Sequence, residues 1–127
     1  MNSARILYLD DEEPLVFVMT RMLSHLGHQV SGFTRASEAL AAFSAAPSGF
    51  DLVLSDLSMP GMSGIDFAQE VLATRPQAQV VIVSGHVEAH DEERARAIGV
   101  RQVVRKPNTL EEMTRLIGDL LRPAADT

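Results

Sequence analysis

The stretch Phe50–Gly64, FDLVLSDLSMPGMSG, constrains the fold of this chain most strongly. Residues 52–54 form a short continuous apolar run, which is typical of a strand covered by helices on both faces of a parallel sheet. The run stops at Asp56, after which Met59–Gly61 breaks regular structure and Ser63–Gly64 can begin a helix. We therefore expect Asp56 at the carboxyl end of a buried strand, facing the crevice in which open α/β sheets bind ligands.

Composition narrows the class of protein. The 127 residues suffice for one domain, which we expect to span residues 1–122, followed by a disordered tail over 123–127. No cysteine is present, which excludes disulfides and thiol nucleophiles. A formal net charge of −6 without a basic stripe argues against a nucleic-acid partner. We find no signal peptide and no apolar run of membrane-spanning length, and so predict a cytoplasmic protein without a membrane partner.

Apolar segments of strand length alternate with segments of helical periodicity along the whole chain. This alternation predicts an α/β fold with a doubly wound, five-stranded parallel sheet. The fourth helix is highly charged, and its outer face is expected to be solvated or to meet a partner. The predicted strands are 6–9, 29–33, 52–56, 80–83 and 102–105, and the predicted helices are 14–26, 36–45, 65–74, 89–98 and 109–121.

Chemically active side chains follow four of the five predicted strands. Asp10 and Asp11 follow the first, Asp56 ends the third, Ser84 follows the fourth and Lys106 follows the fifth. Each alone has a plain structural explanation, as a helix cap, a loop hydroxyl or a solvated charge. Because parallel strands bring their carboxyl ends to one edge of the sheet, we expect all five side chains to surround a single cleft.

Three carboxylates in one cleft need a compensating positive charge. At an effective dielectric constant near 20, each pair a few Å apart repels by about 4 kcal/mol. Mg²⁺ fits this oxygen-rich set, with Asp11 and Asp56 as direct ligands and Asp10 acting through water. With the charge neutralised, Asp56 can attack phosphorus while Lys106 and Ser84 hold phosphoryl oxygens.

With these motifs, the chain resembles the receiver domains of two-component response regulators, related to the chemotaxis response regulator. The resemblance runs from Ile6 to about Leu121 and includes Ser84-Gly85 and Lys106-Pro107. It implies a flavodoxin-like (βα)5 fold with strand order 2-1-3-4-5 and Mg²⁺ dependence. It also implies a metal ligand from the backbone carbonyl of Ser58. The family commonly has a cis peptide bond before the proline that follows its lysine, so we expect one before Pro107.

The same resemblance implies a signalling role rather than an enzymatic one. A sensor histidine kinase or a phosphotransfer protein would donate a phosphoryl group from phosphohistidine to Asp56. The phosphorylated domain would change the surface formed by the fourth helix, the fifth strand and the fifth helix. That surface would signal to a downstream protein or to an attached kinase domain. The second alternative is included because the stretches LSMPGMSG and VSGH look similar to receivers of hybrid sensor kinases.

Three positions qualify this picture. The family often places an aromatic residue three positions before its lysine, where this chain has Val103, so a ring cannot swing inward to report the state of the site. We therefore expect output to depend on the loop from Ser84 to Ala89 and on the charged fourth helix. Ser58 lies two residues after Asp56 and His86 two residues after Ser84, and in the family these positions tune the lifetime of the phosphoryl group. His86 is either a gate over the cleft or an exposed loop histidine.

The remaining histidines and the larger apolar residues have structural interpretations. His25, His28 and His90 show no metal-ligand spacing and are interpreted as surface residues. Phe17, Phe43 and Phe67, together with the methionines, are predicted to fill the core.

Two other functions stay open at this stage. A phosphatase or mutase that forms an aspartyl phosphate normally needs a second carboxylate two residues beyond the nucleophile, and Ser58 occupies that position. A pseudo-receiver or scaffold would signal without phosphate, and the complete set Asp11, Asp56, Ser84 and Lys106 argues against it.

Overall fold

The computed structural model describes residues 3–86, 88–107 and 109–121, with the side chain of Leu110 left out. Strands and helices alternate through all of this chain. Their bounds are β1 (Arg5–Leu9), α1 (Glu13–His25), β2 (Gln29–Phe33), α2 (Ala36–Ala45), β3 (Leu52–Asp56), α3 (Gly64–Thr74), β4 (Val80–Ser84), α4 (Ala89–Ile98), β5 (Gln102–Arg105) and α5 (Leu110–Leu120).

The strands form one parallel sheet in the order β2-β1-β3-β4-β5, which confirms the predicted doubly wound fold. Register aligns the carboxyl ends of the central strands. Asp56 at the end of β3 pairs with Val83 of β4, and Ser84 pairs with Arg105 of β5. The residues that follow β1, β3, β4 and β5 therefore emerge at the same edge of the sheet.

Helices cover both faces of this sheet, and alternate strand residues point to opposite layers. On one face, Leu7, Val53 and Ile82 pack against α2, α3 and α4. On the other face, Ile6 and Leu54 pack in a layer that includes Met19 and Leu23 of α1 and Met113 and Ile117 of α5. Because β1, β3 and β4 are buried on both faces, they are apolar almost throughout.

The prediction that Phe17 fills the core is wrong. Its side chain is 62% exposed, whereas Phe43 and Phe67 are buried as expected. Met19 and Leu23 define the buried face of α1, and at 100° per residue Phe17 lies about 200° from Met19. Phe17 instead carries the guanidinium of Arg21 5.5 Å from its ring centroid. Among the methionines, Met19 and Met113 are buried, while Met22, Met59 and Met62 are half-buried.

Two further details concern helix ends and the bond before Pro107. Ser63 and Thr109 cap α3 and α5 by accepting hydrogen bonds from the amides of Asp66 and Glu112. No cis peptide bond occurs among the described residues, so the expected cis bond before Pro107 is wrong and the bond adopts the intrinsically preferred trans form.

The charged helix α4 is mostly solvent-exposed, with Ala95 as its buried residue. In the described part of the chain, no helix is long and apolar enough to cross a membrane. The predicted tail, residues 123–127, lies outside the described residues.

Candidate functional site

Lys106 joins the carboxyl ends of the strands into one site. Its Nζ lies 2.8 Å from Oδ2 of Asp10 and 3.2 Å from Oδ1 of Asp56. Asp10 follows β1 and is completely buried, and Asp56 ends β3 with 7% of its surface exposed. Residues about 50 and 100 positions apart in sequence are thus linked by charge-assisted hydrogen bonds.

Asp10 is held by more donors than sequence reasoning anticipated. Its Oδ2 also accepts a hydrogen bond of 2.9 Å from the hydroxyl of Tyr8, and its Oδ1 accepts one of 3.0 Å from the amide of Glu12. Tyr8 is fully buried in β1. The sequence contains the signal, since residues two apart on a strand share a face, so a tyrosine two before an aspartate can reach it.

Three carboxylates meet at this edge of the sheet. Asp10, Asp11 and Asp56 each offer an oxygen, and these ligand atoms all lie within 4.8 Å of one another. Asp11 is exposed, so the cluster opens to solvent on its side. A group of hard oxygen donors with one lysine for three carboxylates fits Mg²⁺.

The electrostatics of the site follow from burial and like charge. Burial raises the pKa of Asp56 and the charge of Asp10 raises it further, while Lys106 acts in the opposite direction. Burial alone would lower the pKa of Lys106, but the hydrogen bonds and charges of Asp10 and Asp56 give a net increase. Burial, followed by the charge of Asp10, raises the pKa of the Tyr8 phenol, which therefore stays a proton donor.

The loop between β3 and α3 turns tightly around Asp56. The amide of Gly64 donates a 2.7 Å hydrogen bond to the carbonyl of Leu57, and Gly61 has a φ of +82°, which favours glycine. Ser58 is exposed in this loop. It lines a cavity of about 320 Å³ together with Asp91 and Arg94 of α4, so α4 lies beside the loop that carries Asp56.

Ser84 is buried near the site, but its hydroxyl is engaged within its own loop. The hydroxyl donates a 2.9 Å hydrogen bond to the carbonyl of His86 and accepts one of 3.3 Å from the amide of His86. The imidazole of His86 is 81% exposed and lies 3.4 Å from a carboxylate oxygen of Glu88. Within the described chain, no side-chain hydrogen bond joins Ser84 or His86 to Asp56.

Comparison with known proteins identifies this arrangement. Residues 6–118 match the response regulator receiver domain family. The chain belongs to this family. Receiver domains are regulatory phosphoacceptors of two-component signalling, which agrees with the resemblance inferred from the acidic pair, Asp56, Ser84 and Lys106.

Individual relatives agree with this assignment. The transcriptional regulatory protein YkoG of Bacillus subtilis is 31% identical over 122 residues, 96% of this chain and 53% of YkoG. The chain thus spans about half the length of this curated relative. The receiver domain protein from Clostridium thermocellum superposes with a TM-score of 0.84 at 28% identity, covering 93% of this chain and 94% of that structure. TrrA of Thermotoga maritima, solved in complex with Mg²⁺-BeF, gives 0.79 at 25% identity over 93% and 99%.

In this receiver domain, Val103 lies three residues before Lys106, where the family resemblance predicts an aromatic residue. The side chain is half-buried and packs against the core layer that includes α4. It pairs in register with Ile82 of β4. Val103 thus fills this part of the core with an aliphatic side chain, which has neither an aromatic ring nor a hydroxyl.

The remaining predicted surface histidines differ from one another. His90 is 65% exposed as expected, yet it lies 3.4 Å from Glu88 and 3.3 Å from Asp91, and one ligand atom of each lies within 4.8 Å of the others. His28 is half-buried, and its Nδ1 accepts a 3.0 Å hydrogen bond from the amide of Ala4, so it has a structural role.

A cavity of about 620 Å³ opens beside the acidic cluster of the receiver domain. It reaches from Asp11 across the start of α2 to the loop that follows Asp56. This is the crevice expected at the carboxyl edge of an open α/β sheet. Its lining includes Asp11, Arg35, Leu40, Met59 and Met62.

Proposed function

We propose that this receiver domain is a phosphorylation-dependent switch in which Asp56 accepts a phosphoryl group from the phosphohistidine of a sensor histidine kinase or a phosphotransfer protein. The observation that carries the proposal is the position of Lys106. Its ammonium lies within 3.2 Å of Asp56 and 2.8 Å of the buried Asp10. A cation anchored beside a carboxylate at the open edge of the sheet is placed to hold a transferred phosphoryl group.

The transfer step is a displacement at phosphorus. A carboxylate oxygen of Asp56 forms the new O–P bond while the P–N bond of the donor breaks, and the electron pair stays on the imidazole nitrogen, which then takes up a proton. Lys106 turns toward a phosphoryl oxygen and compensates the added negative charge.

The cation that we assign to this site is Mg²⁺. Asp11 and Asp56 would hold it directly, Asp10 through water, and Ser58 through its backbone carbonyl. When bound, it neutralises the carboxylates and the phosphoryl oxygens, and so lowers the cost of bringing them together. Support comes from the three ligand atoms, which lie within 4.8 Å of one another, and from the single lysine that faces three carboxylates.

Output begins at Ser84. Its hydroxyl leaves the carbonyl of His86 and donates to a phosphoryl oxygen, which frees the loop that leads into α4. Because Val103 has no ring to move, the loop and α4 transmit the change to the α4-β5-α5 surface. That surface binds a downstream protein or an attached kinase domain. The shift of the equilibrium between the two conformations can be no larger than the difference in their stability toward the phosphoryl group.

Further assignments complete the proposal. His86 and Ser58 border the phosphoryl group and tune its lifetime. The domain acts in the cytoplasm as a regulatory phosphoacceptor that catalyses only its own phosphotransfer and slow dephosphorylation, without binding nucleic acid or membrane.

The chemistry is tested by incubation with acetyl phosphate and Mg²⁺ followed by intact-mass measurement. We expect the wild type to gain one phosphoryl group, and Asp56→Asn to gain none. Asp66→Asn, which changes an exposed aspartate in α3, is the matched control and should gain the group like the wild type. An unmodified wild type, a modified Asp56→Asn variant, or sustained turnover of a phosphomonoester would contradict the proposal.

A further inference from the structure

Tyr8 contributes a buried hydroxyl to the acidic site. Its hydroxyl donates to Oδ2 of Asp10 at 2.9 Å, and its ring projects from β1 into the core layer formed with α1 and α5, where it is completely buried. The Tyr8 side chain therefore does more than fill space in the core, because its hydroxyl donates a hydrogen bond to one particular oxygen of Asp10.

The oxygen that Tyr8 selects is the one that Lys106 also uses. Oδ2 of Asp10 accepts from the Tyr8 hydroxyl at 2.9 Å and from Nζ of Lys106 at 2.8 Å. Oδ1 accepts separately from the amide of Glu12 at 3.0 Å. The lysine therefore contacts two carboxylates at once, those of Asp10 and Asp56, whereas the Tyr8 hydroxyl donates to Asp10.

We infer that Tyr8 is a positioning residue that keeps Asp10 satisfied when Lys106 turns to the phosphoryl group on Asp56. The inference rests on the proposed function, because it concerns the state in which Lys106 leaves Asp10. Asp10 has no exposed surface, so bulk water does not replace the lost ammonium. A water through which Asp10 would hold Mg²⁺ is the same before and after Lys106 leaves, and therefore does not compensate for the loss. Without Tyr8, release of Lys106 would leave Oδ2 buried and unpaired, which is costly for a charged acceptor. With Tyr8, the oxygen keeps a donor in both states.

This role predicts a split between two binding reactions. Mg²⁺ alone leaves Lys106 on Asp10, so removal of the Tyr8 hydroxyl should change Mg²⁺ affinity less than about twofold. Mg²⁺ with beryllofluoride, a phosphoryl mimic, draws Lys106 away, so the same removal should weaken binding of the mimic about 5- to 100-fold. A residue that only supports the fold would change both affinities together or neither.

The test is calorimetric titration of Tyr8→Phe, which keeps the ring and removes the hydroxyl, against the wild type. Thr20→Val is the matched control. It also deletes a buried hydroxyl, carried by α1, and this hydroxyl has no hydrogen-bond partner among the described residues. We expect Tyr8→Phe to lose affinity for the mimic and Thr20→Val to bind it like the wild type. Equal affinity of wild type and Tyr8→Phe for the mimic would overturn the inference, as would parallel losses for Mg²⁺ and the mimic.

A second measurement uses the wild type alone, and so holds even if Tyr8→Phe folds poorly. The chain has one tyrosine and no tryptophan, so its intrinsic emission reports on Tyr8. Departure of Lys106 strengthens the hydrogen bond from Tyr8 to Asp10, which quenches the phenol. We expect a larger decrease with Mg²⁺ and beryllofluoride than with Mg²⁺ alone, and equal emission would contradict the inference. A wild type that binds no mimic would instead overturn the proposed function itself, so the two failures are distinguishable.

Discussion

Gly64 at the start of α3 lies so close to Asp56 that a Cβ on Gly64 would overlap the backbone carbonyl oxygen of Asp56. The Gly64 amide also donates to the carbonyl of Leu57, the next residue. The first turn of α3 is thus packed directly on the backbone that carries the candidate phosphoacceptor. Gly64 is required here for close approach, and its φ is not in the left-handed region.

Gly64→Ala should therefore destabilise the domain and disturb the site together. We expect the free energy of unfolding to fall by about 2 to 3 kcal/mol, because backbone must move to admit the methyl group. Phosphorylation by acetyl phosphate should slow. Urea unfolding and intact-mass time courses measure the two effects. Gly118→Ala is the control, since a Cβ there meets nothing within 4 Å, and it should stabilise by about 0.5 to 1 kcal/mol. Equal stability of Gly64→Ala and wild type would contradict the packing argument.

Asp56 should make stability depend on pH in a defined direction. Burial and the charge of Asp10 raise the pKa of Asp56 above 3.8 in the folded state. The stability that protonated Asp56 contributes to the folded state is therefore fully present below pH 3.8 and is lost as pH rises through the folded-state pKa. In EDTA at pH 7, Asp56→Asn should unfold at a higher temperature than the wild type. Each kcal/mol added to the free energy of unfolding should raise the melting temperature by about 3 to 8 °C. The difference should shrink toward pH 4.

Mg²⁺ provides the second arm of this thermal experiment. It should stabilise the wild type more than Asp56→Asn, because the variant lacks one carboxylate ligand. The exposed Asp66→Asn variant serves as the control and should gain as much stability from Mg²⁺ as the wild type. A wild type more stable than Asp56→Asn at pH 7 in EDTA would show that Asp56 carries no electrostatic cost.

Lys106→Met should destabilise the domain in the absence of metal. Removal of the ammonium leaves the fully buried Asp10 with neutral donors only, and breaking such a pair costs about 3 kcal/mol. Added Mg²⁺ should recover more stability in this variant than in the wild type, because it replaces the missing positive charge. Chemical unfolding with and without Mg²⁺ measures both quantities. Arg105→Met, which changes the exposed neighbouring cation, should behave like the wild type.

His86→Ala tests whether the exposed imidazole shields the phosphoryl group. As a gate it would slow the attack of water, so its removal should speed dephosphorylation by up to about tenfold, which is about 1.4 kcal/mol of barrier. The decay of phosphorylated protein is followed by intact mass after removal of the phosphodonor. His90→Ala, also exposed and paired with Glu88, should leave the rate unchanged. An unaltered rate in His86→Ala would reduce His86 to a loop histidine.

Phosphorylation should change chemical shifts most strongly in the 84–89 loop and in α4. Ser84 is bonded to His86 before transfer, and Val103 offers no ring through which β5 would respond first. Amide spectra with and without Mg²⁺ and beryllofluoride measure the distribution. Changes spread evenly over all faces of the domain would contradict this route. As an internal reference, the end of α2 at Ala45, which does not line the cavity beside Asp11, should change little.

Much of the fold was accessible from sequence, because periodicity and helix ends are local properties. The apolar runs at residues 52–54 and 80–83 predicted central strands, and Gly99 ends α4 in the left-handed conformation. The prediction for Phe17 failed because helical spacing alone does not say which stripe faces the sheet. The prediction of a cis bond before Pro107 failed because it came from resemblance rather than from any property of these residues.

The candidate site divides along the same line. The sequence by itself determined which side chains lie at the carboxyl ends of the strands. Each of these side chains follows an apolar run, and a parallel sheet places the ends of such runs at one edge. Only the tertiary structure decided which atoms meet: Lys106 bridges Asp10 and Asp56, Ser84 is engaged by His86, and Tyr8 holds Asp10. The physical reason is range. Strand periodicity acts over a few residues, whereas a hydrogen bond across 96 positions exists only after register and packing have fixed both partners.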